Sequence, residues 1–230
     1  MLSVKDPFLY HFETYTHEGR MVGLLKLITK TITLNLPAKP FIIDAGCSVG
    51  YSTLDLAEFF PSATVLGIDL SPEAAAYKHG HKFLEAFERS QDASKERILF
   101  ARGDMFKLDG TIPQADIILM ANNILYKLIH EEDIQTDQTT LEEFICSHLT
   151  SSVQKLNNGG YLILALGFNT LNWFIVFQKD SSSQISLVAE NMNQESGVLS
   201  KAGLEAIAKR LSTELSEDHQ SFLDIIPHAS

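Results

Sequence analysis

Residues 41–50 read FIIDAGCSVG, and this stretch decides the fold. Its first four residues, Phe41-Ile42-Ile43-Asp44, form a short apolar run after a proline, which is typical of a strand buried on both faces. Gly46 permits a tight turn, Ser48 is small, and Gly50 lets a following helix begin close to the strand. The stretch therefore predicts a strand, a tight turn and a helix in direct succession.

Strand-like and helical patterns alternate on both sides of this stretch. Helices are expected at about residues 19–33, 51–60, 71–89, 139–156 and 200–211, and strands at 41–44, 64–69, 98–101, 115–120 and 161–166. The tail is less distinct, and its interpretation is a hairpin at 172–179 and 185–191 with a last edge strand at 222–226. This alternation predicts a Rossmann-like, doubly wound α/β fold with a mostly parallel sheet and helices on both faces.

Length and composition predict one folded domain over residues 1–230. With 45% hydrophobic and 20% charged residues, the chain can bury a core of ordinary size. Within this domain we distinguish an N-terminal helical segment (1–39), a ligand-binding core (40–167) and a C-terminal segment that completes the sheet (168–230). Both a monomer and a homodimer are compatible with the sequence.

Charge and cysteine content narrow the class of protein. A formal net charge of −11 gives a surface that repels polyanions, so nucleic acid is not an expected partner. No apolar run is long enough for a signal peptide or a membrane span, and a membrane partner is not expected. Cys47 and Cys146 fit a reducing compartment as free thiols, and the expected location is cytoplasmic.

The candidate ligand-binding residues follow the predicted strands. In an open α/β sheet the ligand lies beyond the carboxyl ends of the strands. The turn after the first strand is expected to offer free backbone N–H groups to an anionic group. Asp69 ends the second strand, where its carboxylate can accept both hydroxyls of a ribose. Gly103-Asp104-Met105-Phe106 follows the third strand and can hold an adenine by a hydrogen bond and apolar packing.

The motif DAGCSVG at residues 44–50 resembles the glycine motif of class I S-adenosylmethionine-dependent methyltransferases. That motif runs acid, any, Gly, any, Gly, any, Gly; this chain matches it at Asp44, Gly46 and Gly50 and departs from it at Ser48. The resemblance covers roughly residues 41–166. It implies S-adenosylmethionine as cofactor and transfer of its methyl group by in-line displacement.

The resemblance also implies roles for single residues. Gly46 to Gly50 would wrap the methionine part of the cofactor, with the backbone of Cys47 serving the ligand. Asp69 would hold the ribose, Leu70 would lie against the adenine, and Asp104 would meet the adenine amino group. Asn122, at the end of the fourth strand, stands where the family often contacts cofactor or acceptor, and capping of the loop is an equally good interpretation.

A catalytic base is needed only for a hydroxyl acceptor, because the sulfonium already makes the methyl group reactive. His130 is the candidate base and Tyr126 the candidate pocket residue, although a solvated loop also explains a histidine that precedes three acids. Asn122 and Asn169 stand where metal-dependent relatives carry acids, so a metal is not predicted.

The N-terminal segment contains Tyr10, His11, Tyr15 and His17. In this family such a segment often folds over the cofactor as a lid, and aromatic packing onto the first helix explains these residues equally well.

Several functions compete with the leading one. A nicotinamide dinucleotide fold would use Asp69 in the same way, but its G-x-G-x-x-G pattern needs a middle glycine that this turn lacks. The leading function is methyl transfer to a small-molecule acceptor. The alternatives are a protein or RNA methyltransferase and a non-catalytic module that keeps the S-adenosylmethionine fold for binding.

Overall fold

The computed structural model of the chain describes residues 20–47, 50–70, 96–108, 110–121, 138–168, 171–192 and 199–223. In these ranges four helices and seven strands follow one another. They are α1 (Arg20–Thr31), β1 (Phe41–Ala45), α2 (Tyr51–Phe59), β2 (Thr64–Asp69), β3 (Ile98–Arg102), β4 (Ala115–Ala121), α3 (Gln138–Gln154), β5 (Leu156–Phe168), β6 (Leu171–Lys179), β7 (Ile185–Glu190) and α4 (Lys201–Leu223).

The predicted strands are confirmed, with one boundary clearly wrong. β1 to β4 agree with their predicted bounds to within one residue, and β6 and β7 form the predicted hairpin. β5 begins at Leu156, five residues before the predicted Tyr161. The Asn157 side chain donates to Asp116 Oδ1 of β4 at 2.8 Å, and Leu156 pairs with Ala115, so this polar stretch already belongs to the sheet.

The tail also differs from its prediction. The helix expected at 200–211 continues as α4 to Leu223, so a last edge strand at 222–226 is wrong for Phe222 and Leu223. Leu211 and Leu215 are both buried at helical spacing, which explains why the helix does not stop at the predicted residue. Residues 224–226 and the helix predicted at 71–89 lie outside the described residues.

One sheet with the strand order β3-β2-β1-β4-β5-β6-β7 contains all the described strands. Neighbours from β3 to β5 pair in parallel, whereas β6 is antiparallel to both β5 and β7. The direction of the strand order reverses between β1 and β4, which is the position where ligands bind in doubly wound folds. The predicted fold class is confirmed.

Helices cover both faces of the sheet. Alternate residues of the central strands, such as Ile42 and Ile117, pack with α1 and α2 on one face. The residues between them, such as Ile43 and Ile118, pack with α3 and α4 on the other face. This alternation places Asp44 on the face of α1 and α2. None of the described helices combines the length and the apolar character needed to span a bilayer.

Gly67 of β2 has no side chain at the point where α2 packs against the sheet. It pairs with Asp44 of β1 and with Phe100 of β3. A Cβ atom at this position would lie 2.8 Å from Thr53 Oγ1 and 2.8 Å from Phe100 Cδ1. Because Thr53 Oγ1 donates to the Asp44 carboxylate, a side chain at residue 67 would displace a hydroxyl that is already bonded.

We expect Gly67→Ala to lower the free energy of unfolding by about 1–3 kcal/mol, because it overpacks the contact between β2 and α2. Urea unfolding measures this change. Gly23→Ala is the matched control, since no atom of the described residues lies within 4 Å of the Cβ position on this exposed part of α1. The control should stabilise the protein by about 0.5–1 kcal/mol through helix propensity. Equal stability changes in the two variants would contradict the assignment.

Candidate functional site

The predicted ligand-binding residues converge on one edge of the sheet. β1, β2 and β3 are parallel and in register, with Ala45 beside Ile68 and Asp69 beside Arg102. The Gly103 N–H donates to the Asp69 carbonyl at 2.9 Å, which joins the ends of β2 and β3. The turn after β1, Asp69 and the loop after β3 are therefore neighbours at the carboxyl edge.

Backbone hydrogen bonds fix the conformation of the turn after β1. Gly46 (φ 81°) and Gly50 (φ 89°) both adopt the left-handed conformation. The N–H groups of Gly46 and Cys47 donate to the Ile68 carbonyl at 2.7 and 3.0 Å, and the Gly50 N–H donates to the Cys47 carbonyl at 2.8 Å. The expectation of free N–H groups is therefore wrong for these three residues. Carbonyl groups at the end of β2 and within the turn accept their hydrogen bonds. Ser48 lies outside the described residues.

Asp44 is buried beneath this turn, with a relative exposure of 1%. Its Oδ2 accepts hydrogen bonds from Ser52 Oγ and Thr53 Oγ1, both at 2.6 Å, from the first turn of α2. Its Oδ1 is also buried and has no hydrogen-bond partner among the described residues. A buried carboxylate with one unsatisfied oxygen is costly, and such a group is a candidate for interaction with a cationic ligand.

Burial raises the pKa of Asp44 to about 6. The two hydroxyl donors oppose this shift, whereas the carboxylates of Asp69 and Asp55 add to it by repulsion. The contribution of Asp69 means that the acids ending β1 and β2 act on each other through space. A positive charge placed near both acids would relieve the repulsion.

Cys47 is buried beside these acids. Burial raises the pKa of its thiol well above the usual range, and the negative charges of Asp44 and Asp69 raise it further. Its sulfur therefore stays protonated at neutral pH and is not a reactive thiolate. Cys47 and Cys146 are both free and buried, and their prediction as free thiols is confirmed.

Asp69 and Leu70 extend beyond the carboxyl end of β2. The Asp69 side chain is half-buried, so it can be reached by a ligand at this edge. Leu70 follows it with 63% of its surface exposed, which is unusual for a large apolar side chain. A carboxylate followed by an exposed apolar surface suits a ribose with an attached base.

The loop that follows β3 contains Asp104. Its Oδ1 accepts the Phe106 N–H at 2.9 Å, and its carbonyl accepts the Lys107 N–H at 3.0 Å, so the carboxylate closes its own turn. The other oxygen, Oδ2, has no partner within the described parts of the chain and can accept a bond from a ligand. Met105 and Phe106 are half-buried and pack against the core beneath α3.

Three further predicted site residues are not described by the structure. Asn122, Tyr126 and His130 lie outside the described residues, so their predicted roles stay predictions.

Sequence reasoning missed Ser52 and Thr53, the two hydroxyl donors that hold Asp44. A polar pair at the start of a helix is usually interpreted as capping, and only the position of the pair directly above β1 indicates this second role.

The site residues lie within a segment that matches a known family. Residues 42–139 match the family model described as a methyltransferase domain. No curated protein matches the chain.

Solved structures of methyltransferases are similar to the chain at low identity. The glycopeptide N-methyltransferase MtfA is 13% identical, over 66% of this chain and 55% of MtfA, with a TM-score of 0.44. PKMT2 from Rickettsia typhi, in complex with AdoHcy, is 21% identical, over 66% of this chain and 25% of PKMT2, with a TM-score of 0.41. An O-methyltransferase family 2 protein from Planctomyces limnophilus, in complex with apigenin, is 19% identical, over 64% of this chain and 42% of that protein, with a TM-score of 0.38.

The residues present fit the cofactor of this family. S-adenosylmethionine joins a methionine chain to adenosine through a positively charged sulfonium. Asp44 Oδ1 and Asp104 Oδ2, both without a partner among the described residues, and the half-buried Asp69 offer negative charge and acceptors along one sheet edge. Residues 42–139 thus match a methyltransferase domain in sequence and carry acceptors that suit S-adenosylmethionine at this edge.

Proposed function

We propose that this chain is an S-adenosylmethionine-dependent methyltransferase that passes the methyl group to a small-molecule acceptor. The observation that carries the proposal is the pair of interacting carboxylates, Asp44 and Asp69, at the ends of β1 and β2 inside the segment that matches the methyltransferase family. Negative charge at this edge, with the buried Asp44 Oδ1 unpartnered among the described residues, favours a cationic adenosine derivative over a neutral or anionic one.

Each part of the cofactor has a candidate partner in this arrangement. The turn from Gly46 to Gly50 provides a backbone surface without side chains at its two glycines, against which the methionine part can pack. Asp69 is the candidate acceptor for the ribose hydroxyls, and Leu70 offers the adenine an apolar surface. The free oxygen of Asp104 is the candidate acceptor for the adenine amino group.

When bound, S-adenosylmethionine supplies a sulfonium methyl group that an acceptor atom attacks in line while the sulfur leaves with the bonding electrons. The protein contributes mainly by orienting both reactants and excluding water. For a hydroxyl acceptor we propose His130 as the base that takes the proton, with Tyr126 and Asn122 lining the pocket.

A small-molecule acceptor is supported by the charge of the chain. The net charge of −11 disfavours RNA, which proteins bind largely by neutralising phosphates with lysine and arginine. We further propose that residues 1–230 act as one domain, with residues 1–39 and 168–230 selecting the acceptor.

Methyl transfer from labelled S-adenosylmethionine to a fractionated cell extract tests this function. We expect label in the small-molecule fraction with the wild-type protein and much less with Asp69→Ala when the cofactor concentration is below saturation. Label in protein or RNA instead would support one of the alternative acceptor classes. Tight cofactor binding without transfer to any fraction would indicate a non-catalytic binding module and would contradict the proposal.

We expect Asp69→Ala to weaken S-adenosylmethionine binding by about 1–3 kcal/mol, because the ribose hydroxyls lose their charged acceptor. Isothermal titration calorimetry measures this loss. Glu205→Ala removes an exposed carboxylate from α4, on the other face of the sheet, and should leave the affinity unchanged. Equal affinities of wild type and Asp69→Ala would rule out this ribose site.

Cofactor affinity should depend on the ionisation of Asp44. S-adenosylmethionine carries a net positive charge, so it favours the ionised carboxylate, and in the folded protein the pKa of Asp44 is raised to about 6. We therefore expect affinity to increase about threefold to tenfold between about pH 5 and pH 7.5. Asp44→Asn is the control, because its amide oxygen can still accept both hydroxyls but does not titrate. The same pH dependence in both proteins would contradict this role.

The stability of the ligand-free protein provides an independent readout of the same group. Because the folded pKa of Asp44 lies above its ordinary value of 3.8, the folded protein holds this proton more tightly than the unfolded chain does. The resulting stabilisation is present below about pH 4 and is lost as pH rises through about 6. Relative to Asp44→Asn, urea unfolding should show a loss of about 2–3 kcal/mol across this range.

A further inference from the structure

The loop after β3, residues 103–108, is fixed by a helix that is distant in sequence. The Leu108 N–H donates to Ser151 Oγ of α3 at 3.0 Å, a bond between residues 43 positions apart. The Leu108 side chain is buried in the core on the face of α3 and α4. The far end of the loop is therefore held on α3 by a hydrogen bond and by apolar packing.

A second contact joins the middle of this loop to α3. The ring of His148 lies edge-on to Phe106, with centroids 4.6 Å apart and an interplanar angle of 85°. On its other side the same ring packs against Phe144, with centroids 4.0 Å apart. His148 Nδ1 lies 2.7 Å from the Phe144 carbonyl, which can only accept, so Nδ1 carries the proton and donates. The helix thus fixes the ring that Phe106 contacts.

Phe106 connects these contacts to the acid that faces the ligand. Its N–H donates to Asp104 Oδ1, so the position of Phe106 determines the orientation of the Asp104 carboxylate. The contacts run from His148 to Phe106 and from Phe106 to Asp104, with Ser151 fixing the end of the loop.

We propose that Ser151 and His148 are positioning residues that hold the loop 103–108 so that Asp104 discriminates adenine from other bases. This inference rests on the proposed function, because it concerns the same cofactor site. A hydrogen bond selects a base only when its acceptor is already oriented, since a mobile carboxylate loses conformational entropy on binding and tolerates other geometries. The rigid contacts with α3 remove that freedom in advance.

A pair of ligands that differ only at the exocyclic group of the base tests the proposal. They are S-adenosylhomocysteine and its 6-deamino analogue, in which a hydrogen atom replaces the adenine amino group. Asp104 can accept a bond from the amino group of the first, whereas the second offers no donor at this position. The ratio of the two dissociation constants, measured by calorimetry, reports the contact of Asp104 with the base and is independent of binding through the ribose and the amino-acid part.

We expect the wild-type protein to prefer the adenosyl ligand, and Ser151→Ala and His148→Ala each to reduce this preference about fivefold. His148→Phe keeps a ring between Phe106 and Phe144 and should keep most of the preference, and Ser151→Thr should do so by keeping the hydroxyl. Ser216→Ala is the matched serine control, because it removes an exposed hydroxyl from α4. Thermal unfolding of each variant shows whether it is folded at the temperature of the titration.

Double variants with Asp104→Ala distinguish positioning from a general structural effect. Once Asp104 is absent, we expect Ser151→Ala and His148→Ala to cause no further change in the ratio. A further fall in that background, or an unchanged ratio in the single variants, would overturn the inference. If the wild-type protein binds neither ligand, the proposed function itself has failed, so the two failures are distinguishable.

Discussion

Burial of the Asp44 carboxylate is the constraint on which the carboxyl edge of β1 and β2 depends. A charged group at 1% exposure is costly unless its oxygens are bonded, and here Ser52 and Thr53 satisfy only one of them. The Thr53 hydroxyl has room to reach β1 because residue 67 has no side chain in the space between β2 and α2. The acid, the polar pair and the glycine therefore form one unit, and none of the three is explained without the others.

The sequence allowed the strands and the order of the site acids to be predicted, because both depend on local patterns. Apolar runs bounded by proline, glycine or aspartate gave β1 to β4 nearly to the residue. Parallel pairing then brings Asp44, Asp69 and Asp104 to a common edge, since each of these acids lies at or just beyond the end of its strand. Convergence of the three acids could thus be inferred without knowing any distance.

Features that depend on partners distant in sequence could not be predicted in the same way. The N–H groups of Gly46 and Cys47 are bonded to the Ile68 carbonyl, and nothing within the glycine motif indicates that acceptor. Ser151 is an ordinary helical serine until the fold brings the Leu108 N–H to it. The early start of β5 depends likewise on Asp116, which accepts the Asn157 amide. In each case the structure depends on a hydrogen bond to a residue distant in sequence, which the local pattern does not reveal.

The position of β1 in the sheet has a consequence for the order in which the protein can be made. β1 lies between β2 and β4, and Asp44 stands beside Gly67 on one side and Leu119 on the other. Leu119 lies much farther along the chain from Asp44 than Gly67 does, so it leaves the ribosome much later. The meander from β5 to β7, by contrast, pairs strands that follow one another directly. Closing the parallel half of the sheet thus carries the larger loop-closure entropy, so the part of the sheet that is made first waits longest for its pairing strands.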